Sequence, residues 1–523
     1  MNERASRAVT ILRNVAINWA GFAINAAVTL VLTPFVLHQL GAAKYGVWVL
    51  TSSVIGYYGL LDLGFRGGVT QFLTRYLAVH DYVKASECMS SAVSALSVIG
   101  AATVLLSGIM AYIAPHLFVI PPEIQADAFW CILIVGCTSA LQFVLFPFAA
   151  VFTAKQRFDL ANFVGILSRL ATAALVFLAL RRGYGLIGVS AATCGVNAVD
   201  YLVRWRIARH IEPNLKVSLG LARKERLREI ASFGTWNFQI SVSQYAEMHA
   251  QTLIISFLLP IAAAGHYSLA TGLVFQIGAL LGPIGQVIYP AAAAMHAKEE
   301  HGGLERLFRD GTRLVLLATV SILFIASFWA QDFYRLWIGE KYVSGVPFPS
   351  VATLLQILLV GTLAGYTSNI AGQILLGMGR VRQLALALLG RTVLDVALML
   401  VLIRPFGLIG VATASAVSAT VTNVAVIPLI FRKITRFQAG RLLLEACLRP
   451  LAVAGALAIL LSLIRLTGRP EDWAHLFAQG ALAGATAAGA VLILGITGEE
   501  RERFVTRPLR RLLKLDVAGA QIR

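Results

Sequence analysis

Fourteen apolar stretches, each near the length a helix needs to cross about 30 Å of hydrocarbon, constrain this chain more than any other feature. They cover residues 14–37, 45–66, 87–113, 126–153, 159–180, 184–205, 231–259, 264–293, 311–334, 349–376, 381–403, 407–431, 446–465 and 474–497. Within lipid a backbone must satisfy its own hydrogen bonds, and the alternating ten-residue pattern of barrel strands is missing. The expected fold is therefore all-α and integral to the membrane. The composition agrees: 58% of the 523 residues are apolar and 13% charged, too few charges to cover a soluble protein. The apolar run from Val15 to Leu37 follows Arg4, Arg7 and Arg13, but it is too long for a cleaved signal core and reads as the first crossing.

A formal charge of +18 would point to nucleic acid in a soluble chain, but here its placement points to topology. Basic residues concentrate in cytoplasmic loops. With both termini cytoplasmic, the cytoplasmic segments hold 34 Lys and Arg and the seven external loops hold 8. No nucleic-acid partner is needed to explain the charge. The basic stretches Arg204 to Arg228 and Arg501 to Lys514 are placed to meet anionic lipid headgroups.

An internal repeat sets the organisation. Gly185-Leu186-Ile187-Gly188-Val189 recurs 222 residues later as Gly407-Leu408-Ile409-Gly410-Val411, and the same offset carries Arg169 onto Arg391 and Tyr45 onto Tyr267. Six helices repeated in the same orientation imply two lobes related by a pseudo-twofold axis along the membrane normal, an architecture suited to alternating access. The expected division is an N-lobe at 1–205, a basic cytoplasmic linker at 206–230, a C-lobe at 231–437, two further helices at 438–497 and a basic cytoplasmic tail at 498–523.

Polar residues inside the spans mark the candidate site. Asn14, Asn18, Gly21, Asn25 and Thr29 form one stripe along the first helix, and Asn237, Gln244, Glu247 and Gln251 form another along the seventh. Such faces line a hydrated cavity or hydrogen-bond between helices. Arg169 and Arg391 fall near mid-bilayer, where a charge costs at least about 2.5–3.5 kcal/mol. Each is either a guanidinium that attracts an anionic group such as a diphosphate or half of a buried pair. Asp395 lies one turn from Arg391, while Ala173 takes the equivalent place near Arg169. Glu247 and His249 are candidates for proton coupling, or for structural roles. Asp62 with Arg66, and Asp200 with Arg204, have the spacing of one-turn pairs, the first a possible gate contact. Trp19, Tyr57, Tyr58, Trp236 and Tyr245 suit either packing or stacking on sugar rings.

The five scattered cysteines encode no metal site or disulfide framework, and no P-loop, HExxH or GxSxG motif is present. No cofactor is implied, and the chain reads as a transporter and not an enzyme.

Leu40-Gly41-Ala42-Ala43-Lys44-Tyr45-Gly46-Val47-Trp48, Tyr58-Gly59-Leu60-Leu61-Asp62-Leu63-Gly64 and Gly265-His266-Tyr267-Ser268-Leu269-Ala270 resemble signatures of Wzx-type polysaccharide flippases. These form the polysaccharide transporter family of the multidrug/oligosaccharidyl-lipid/polysaccharide exporter superfamily. The resemblance implies two lobes in a bacterial inner membrane and movement of undecaprenyl-diphosphate-linked oligosaccharide to the periplasmic leaflet for O-antigen, capsule or exopolysaccharide synthesis. It also implies membrane lipids as partners, and polymerases or glycosyltransferases as neighbours. Gln251-Thr252 stands where family members often carry Asp-Arg, which removes the usual charge pair. The alternatives are a multidrug/cation antiporter of the same superfamily, which calls for an acidic cavity, and a membrane glycosyltransferase or polymerase, which calls for large external loops.

Overall fold

A computed structural model describes residues 3–62, 65–232, 235–286 and 288–501. Within these, the side chains of 3–20, 62, 231, 232, 235–237, 283–286, 301, 499 and 501 stand outside the description. Among the described residues every regular element is a helix, as expected of a backbone that must close its own hydrogen bonds in lipid. Ten helical stretches are long and apolar enough to cross a membrane. Two of them, Gly21–Leu61 with 41 residues and Val381–Thr435 with 55, far exceed the roughly 20 residues that one crossing needs.

Each long stretch is broken at a glycine. Helix α1 (Glu3–Tyr58) has non-helical backbone at Gly41, and α15 (Val381–Thr420) has it at Gly407, where φ is 55°. Gly407 opens the repeated Gly-Leu-Ile-Gly-Val motif, and its counterpart Gly185 has φ 56°. The two copies of the motif thus make the same left-handed entry into a helix, a conformation that a side chain would strain.

By contacts the chain forms two compact units, one of residues 1–269 with 399–411 and one of 270–398 with 412–523. In the first, α3 (Tyr82–Leu117), α4 (Gln125–Ala154), α5 (Phe158–Arg181) and α6 (Gly185–Ile211) pack with α1 around Leu50, Val54, Leu96, Ile132 and Leu186. Helix α8 (Thr235–Leu258) also packs on α1. The basic linker is docked on this unit. Ser86, Ser90 and Ser91 of α3 accept hydrogen bonds from the backbone N–H of Lys216, Ser218 and Arg223 at 3.1, 3.2 and 2.8 Å. Arg226, in α7 (Lys224–Ser232), pairs with Glu87 at 3.2 Å and Glu229 at 2.7 Å; Glu229 also accepts from Tyr76 of α2 (Phe65–Ala78) at 2.8 Å.

The second unit includes α9 (Ile261–Gln286) from Ala270 onward, and α10 (Ile288–Ala297), α11 (His301–Phe328), α12 (Ala330–Ile338), α13 (Val351–Thr367) and α14 (Asn369–Gly377). It also holds most of α15, then α16 (Ile427–Thr435), α17 (Ala439–Arg465) and α18 (Trp473–Ala490). One core gathers Leu317, Val320, Val453, Leu457 and Ala483, and another Phe308, Ile370, Ile374 and Phe431. Short helix α12 occupies part of what reads in sequence as a loop. Its buried Asp332 accepts from Arg465 at 3.0 Å, which anchors it on α17.

Candidate functional site

Helices α1, α5 and α6 line an open polar cavity of about 420 Å³ on the first unit. Its polar lining comes from Asn25, Asn162, Arg169 and Arg204, and small Gly21 and Gly165 leave the room. Asn162 and Arg169 are seven residues apart, two turns of α5, so one face of that helix supplies both. Arg169 is the twelfth of the 24 residues of α5, halfway along a candidate membrane span. Its side chain is exposed, and it makes no ion pair or hydrogen bond among the described residues.

Arg204 is held differently. Its Nε and a terminal nitrogen donate to Asp200 at 2.7 and 3.2 Å, the second nitrogen also donates to the Ala161 carbonyl at 3.2 Å, and Ser168 donates to Asp200 at 2.7 Å. Asp200 neutralises Arg204 and, through Ser168, ties α6 to α5. Among the described residues, no carboxylate offsets the charge that Arg169 brings to the cavity. A guanidinium with five donors beside two carboxamides is suited to grip phosphate oxygens and to bond hydroxyls.

The equivalent arginine in the second unit has a different setting. Asp395, 6% exposed, accepts from Ser415 at 3.2 Å and Ser418 at 3.1 Å, both beyond the Gly407 break. A buried carboxylate therefore sits one helical turn from the half-buried Arg391.

On α8 the polar residues part into two groups. Gln244 and Glu247 are exposed, and Gln251 and Thr252 are buried. His249 lies 6.2 Å from the stacked ring of Tyr245 and 5.9 Å from Tyr57. It fills the space over Gly56, where an added Cβ would come within 2.2 Å of the imidazole Nε2. Neither Glu247 nor His249 lines the α1–α5–α6 cavity. Arg66 begins α2 and stacks on Phe143 and Phe146 at 5.2 and 4.9 Å; Asp62 closes a separate 3₁₀ turn, Gly59–Asp62, so the two do not share one regular helix. The side chains of Asn18, Asn237 and Asp62 lie outside the described residues.

Two lining residues lie outside the site assigned from sequence: Asn162, and Arg204, which reads there as a one-turn partner of Asp200 and the start of a basic stretch that meets lipid headgroups. The first was legible, since 162 and 169 share a helix face. The second was not, because its place in the cavity depends on how α6 packs against α5.

The family described as polysaccharide biosynthesis protein matches residues 40–347, more than half of the chain. The chain belongs to that family. A curated protein of similar sequence, an uncharacterised membrane protein EpsK of Bacillus subtilis (strain 168), is 23% identical over 515 residues, which cover 94% of this chain and 97% of the relative. A putative O-antigen transporter of Shigella flexneri is 20% identical over 411 residues, covering 77% and 94%. Among solved structures, the lipid II flippase MurJ in an inward closed conformation superposes with a TM-score of 0.64 over 90% of this chain and 98% of that one, at 14% identity. This polysaccharide biosynthesis protein is accordingly an all-helical, multi-pass membrane protein with a flippase-like fold.

Proposed function

We propose that the protein is a flippase that carries an undecaprenyl-diphosphate-linked oligosaccharide across a bacterial inner membrane by alternating access, for polysaccharide synthesis. The single observation that carries this reading is Arg169. It is an uncompensated guanidinium halfway along a membrane helix, and it lines a polar cavity with Asn25 and Asn162. In lipid such a charge is kept for a function, and a diphosphate is the group it suits. A cation exporter calls for carboxylates in that place.

The finer arrangement follows the repeat. If α1 and α15 each cross twice, broken at Gly41 and Gly407, and α8 and α9 each cross once, the ten stretches become fourteen crossings in two six-helix lobes with α17 and α18 appended. The excess of Lys and Arg in alternate loops supports cytoplasmic termini. Asn18, Asn25, Asn237, Gln244 and Arg391 are assigned to the headgroup path with Arg169. Glu247 and His249 are assigned to coupling, Asp62 and Arg66 to gating, and Asp395 to holding Arg391.

The test is glycan export in cells that depend on this protein. Arg169→Ala should lower export about tenfold or more at normal membrane abundance, and Arg169→Lys should restore part of it. Unchanged export in Arg169→Ala would remove the cavity from the mechanism.

A further inference from the structure

The α5–α6 hairpin has a second face. Leu175 and Leu178 lie about 120° and 180° round α5 from Arg169, and Ile187 and Ala191 about 100° and 140° round α6 from Arg204. They point away from the polar cavity. Together with Arg182 and Tyr184 they line an open groove of about 530 Å³ that is apolar along its walls. Leu175, Leu178, Tyr184 and Ile187 are all exposed, as residues facing acyl chains would be. Such a volume falls within the range of small-ligand clefts, roughly 300–1,000 Å³.

Charge stands at one end of the groove only. Arg182 caps the end of α5 and makes no side-chain ion pair or hydrogen bond among the described residues. Arg181 beside it lies over the Phe177 ring at 5.0 Å. An apolar groove over the last turns of α5 and the first turns of α6 that ends at the Arg182 guanidinium and a tyrosine is shaped for a lipid with a negative headgroup. The chain lies in the groove, and the phosphate meets Arg182 near the end of the span. The repeat strengthens the reading. Arg182, Tyr184 and Ile187 map by the 222-residue offset onto Arg404, Phe406 and Ile409, and all three of these are exposed as well. The turn at Gly185 and Gly407 explains the repeated glycines, but it does not require an exposed arginine and an exposed aromatic at the same places twice.

We infer that the outer end of the α5–α6 hairpin is a docking site for an anionic phospholipid, separate from the transport cavity, with Arg182 as its headgroup contact. The site does not depend on what the cavity carries.

Native mass spectrometry of the detergent-purified full chain tests this, with phosphatidylglycerol and phosphatidylcholine as probes. Phosphatidylglycerol should be retained several-fold better. Arg182→Gln should weaken its retention about fivefold, the effect of one basic residue near an anionic surface. Ala191→Phe, which fills the groove and leaves both arginines in place, should weaken retention of both lipids, while thermal stability shows that the variant folds. Equal retention of the two lipids by the parent, or retention untouched by Ala191→Phe in a folded protein, would overturn the assignment. Undecaprenyl phosphate is the third probe. If Ala191→Phe abolishes its binding and spares phosphatidylglycerol, the groove belongs to the substrate's tail and the proposal fails. Loss of export in Arg169→Ala has no bearing on these outcomes, so the two readings fail separately.

Discussion

In the first copy of the repeat Ser168 of α5 donates to Asp200 of α6, whereas in the second copy the carboxylate stands on the other limb, and Ser415 and Ser418 donate back to Asp395. Both copies keep the glycine-opened turn and the central arginine. They differ in where the negative charge lies. In the first copy Asp200 is committed to Arg204, and Arg169 faces a cavity with no acid of its own. In the second, Asp395 lies buried one turn from Arg391, and positions 422 and 426, equivalent to Asp200 and Arg204, are Thr and Val. Among the described residues one arginine thus has no carboxylate beside it, and the other stands one turn from a buried one. A charge costs the same to insert in either copy, but only the second places a buried carboxylate one turn from its arginine.

The largest test of this asymmetry is the pair of alanine variants. A charge-assisted hydrogen bond is worth about 1.5–3 kcal/mol, so Arg169→Ala should lower export about tenfold or more. Arg391→Ala should lower it less than about threefold when both are compared at equal membrane abundance. Equal losses would erase the distinction between the copies.

Stability should show the opposite order. Asp395→Ala removes a buried acceptor from two hydroxyls and should cost about 2–4 kcal/mol, read as a fall of several degrees in the thermal midpoint of the purified protein. Asp200→Ala should cost about 1–2 kcal/mol, because its side chain is partly exposed and water can replace it. It should nonetheless depress export, by freeing Arg204 inside the cavity. A larger thermal loss for Asp200→Ala would put the more rigid hairpin in the wrong copy.

Much of this was legible in the residues themselves. Apolar runs of spanning length announce helices because lipid admits few alternatives, and Gly185 and Gly407 betray the repeat because their backbone tolerates little else. Arg169 stands out because a charge in hydrocarbon needs a reason. The contacts that distinguish the copies were not legible. The Asp200–Arg204 pair can be read from a one-turn spacing, but nothing along the chain says that Ser168 reaches Asp200 from 32 residues away. The break between α11 and α12 was not legible: residues 330–334 read as the end of a crossing, although a separate short helix begins there and Asp332 is buried against Arg465. Nothing in the sequence marks the serines of α3, and only the fold turns them toward the linker.

The docked linker offers the finest comparison. Position 91 on α3 and position 313 on α11 are equivalent by the same offset. Ser91 accepts from the backbone N–H of Arg223 in the segment that follows the first copy, and Arg313 pairs with Glu500, after the last helices. Each copy therefore pins a later segment at the same place on the same helix, one with a neutral hydroxyl and one with a charge. Around the first pin the charge is supplied by Glu229. Burial pushes its carboxyl upward, but hydrogen bonds from Arg226 and Tyr76 outweigh this and hold it below the ordinary carboxylate range. A depressed carboxylate contributes its full stabilisation above the unfolded pKa of about 4.3 and loses it as pH falls through the lower folded value. Only the thiolate reacts, so linker docking is read as the labelling rate of a Gly220→Cys variant divided by that of a free thiol at the same pH; this ratio should stay flat from pH 8 to about 5 and rise a few-fold only below about pH 4. Glu229→Gln should give the faster rate at every pH, because the neutral amide mimics the protonated acid. A rise centred near pH 6 would mean that the linker is pinned by something other than the Arg226–Glu229–Tyr76 cluster.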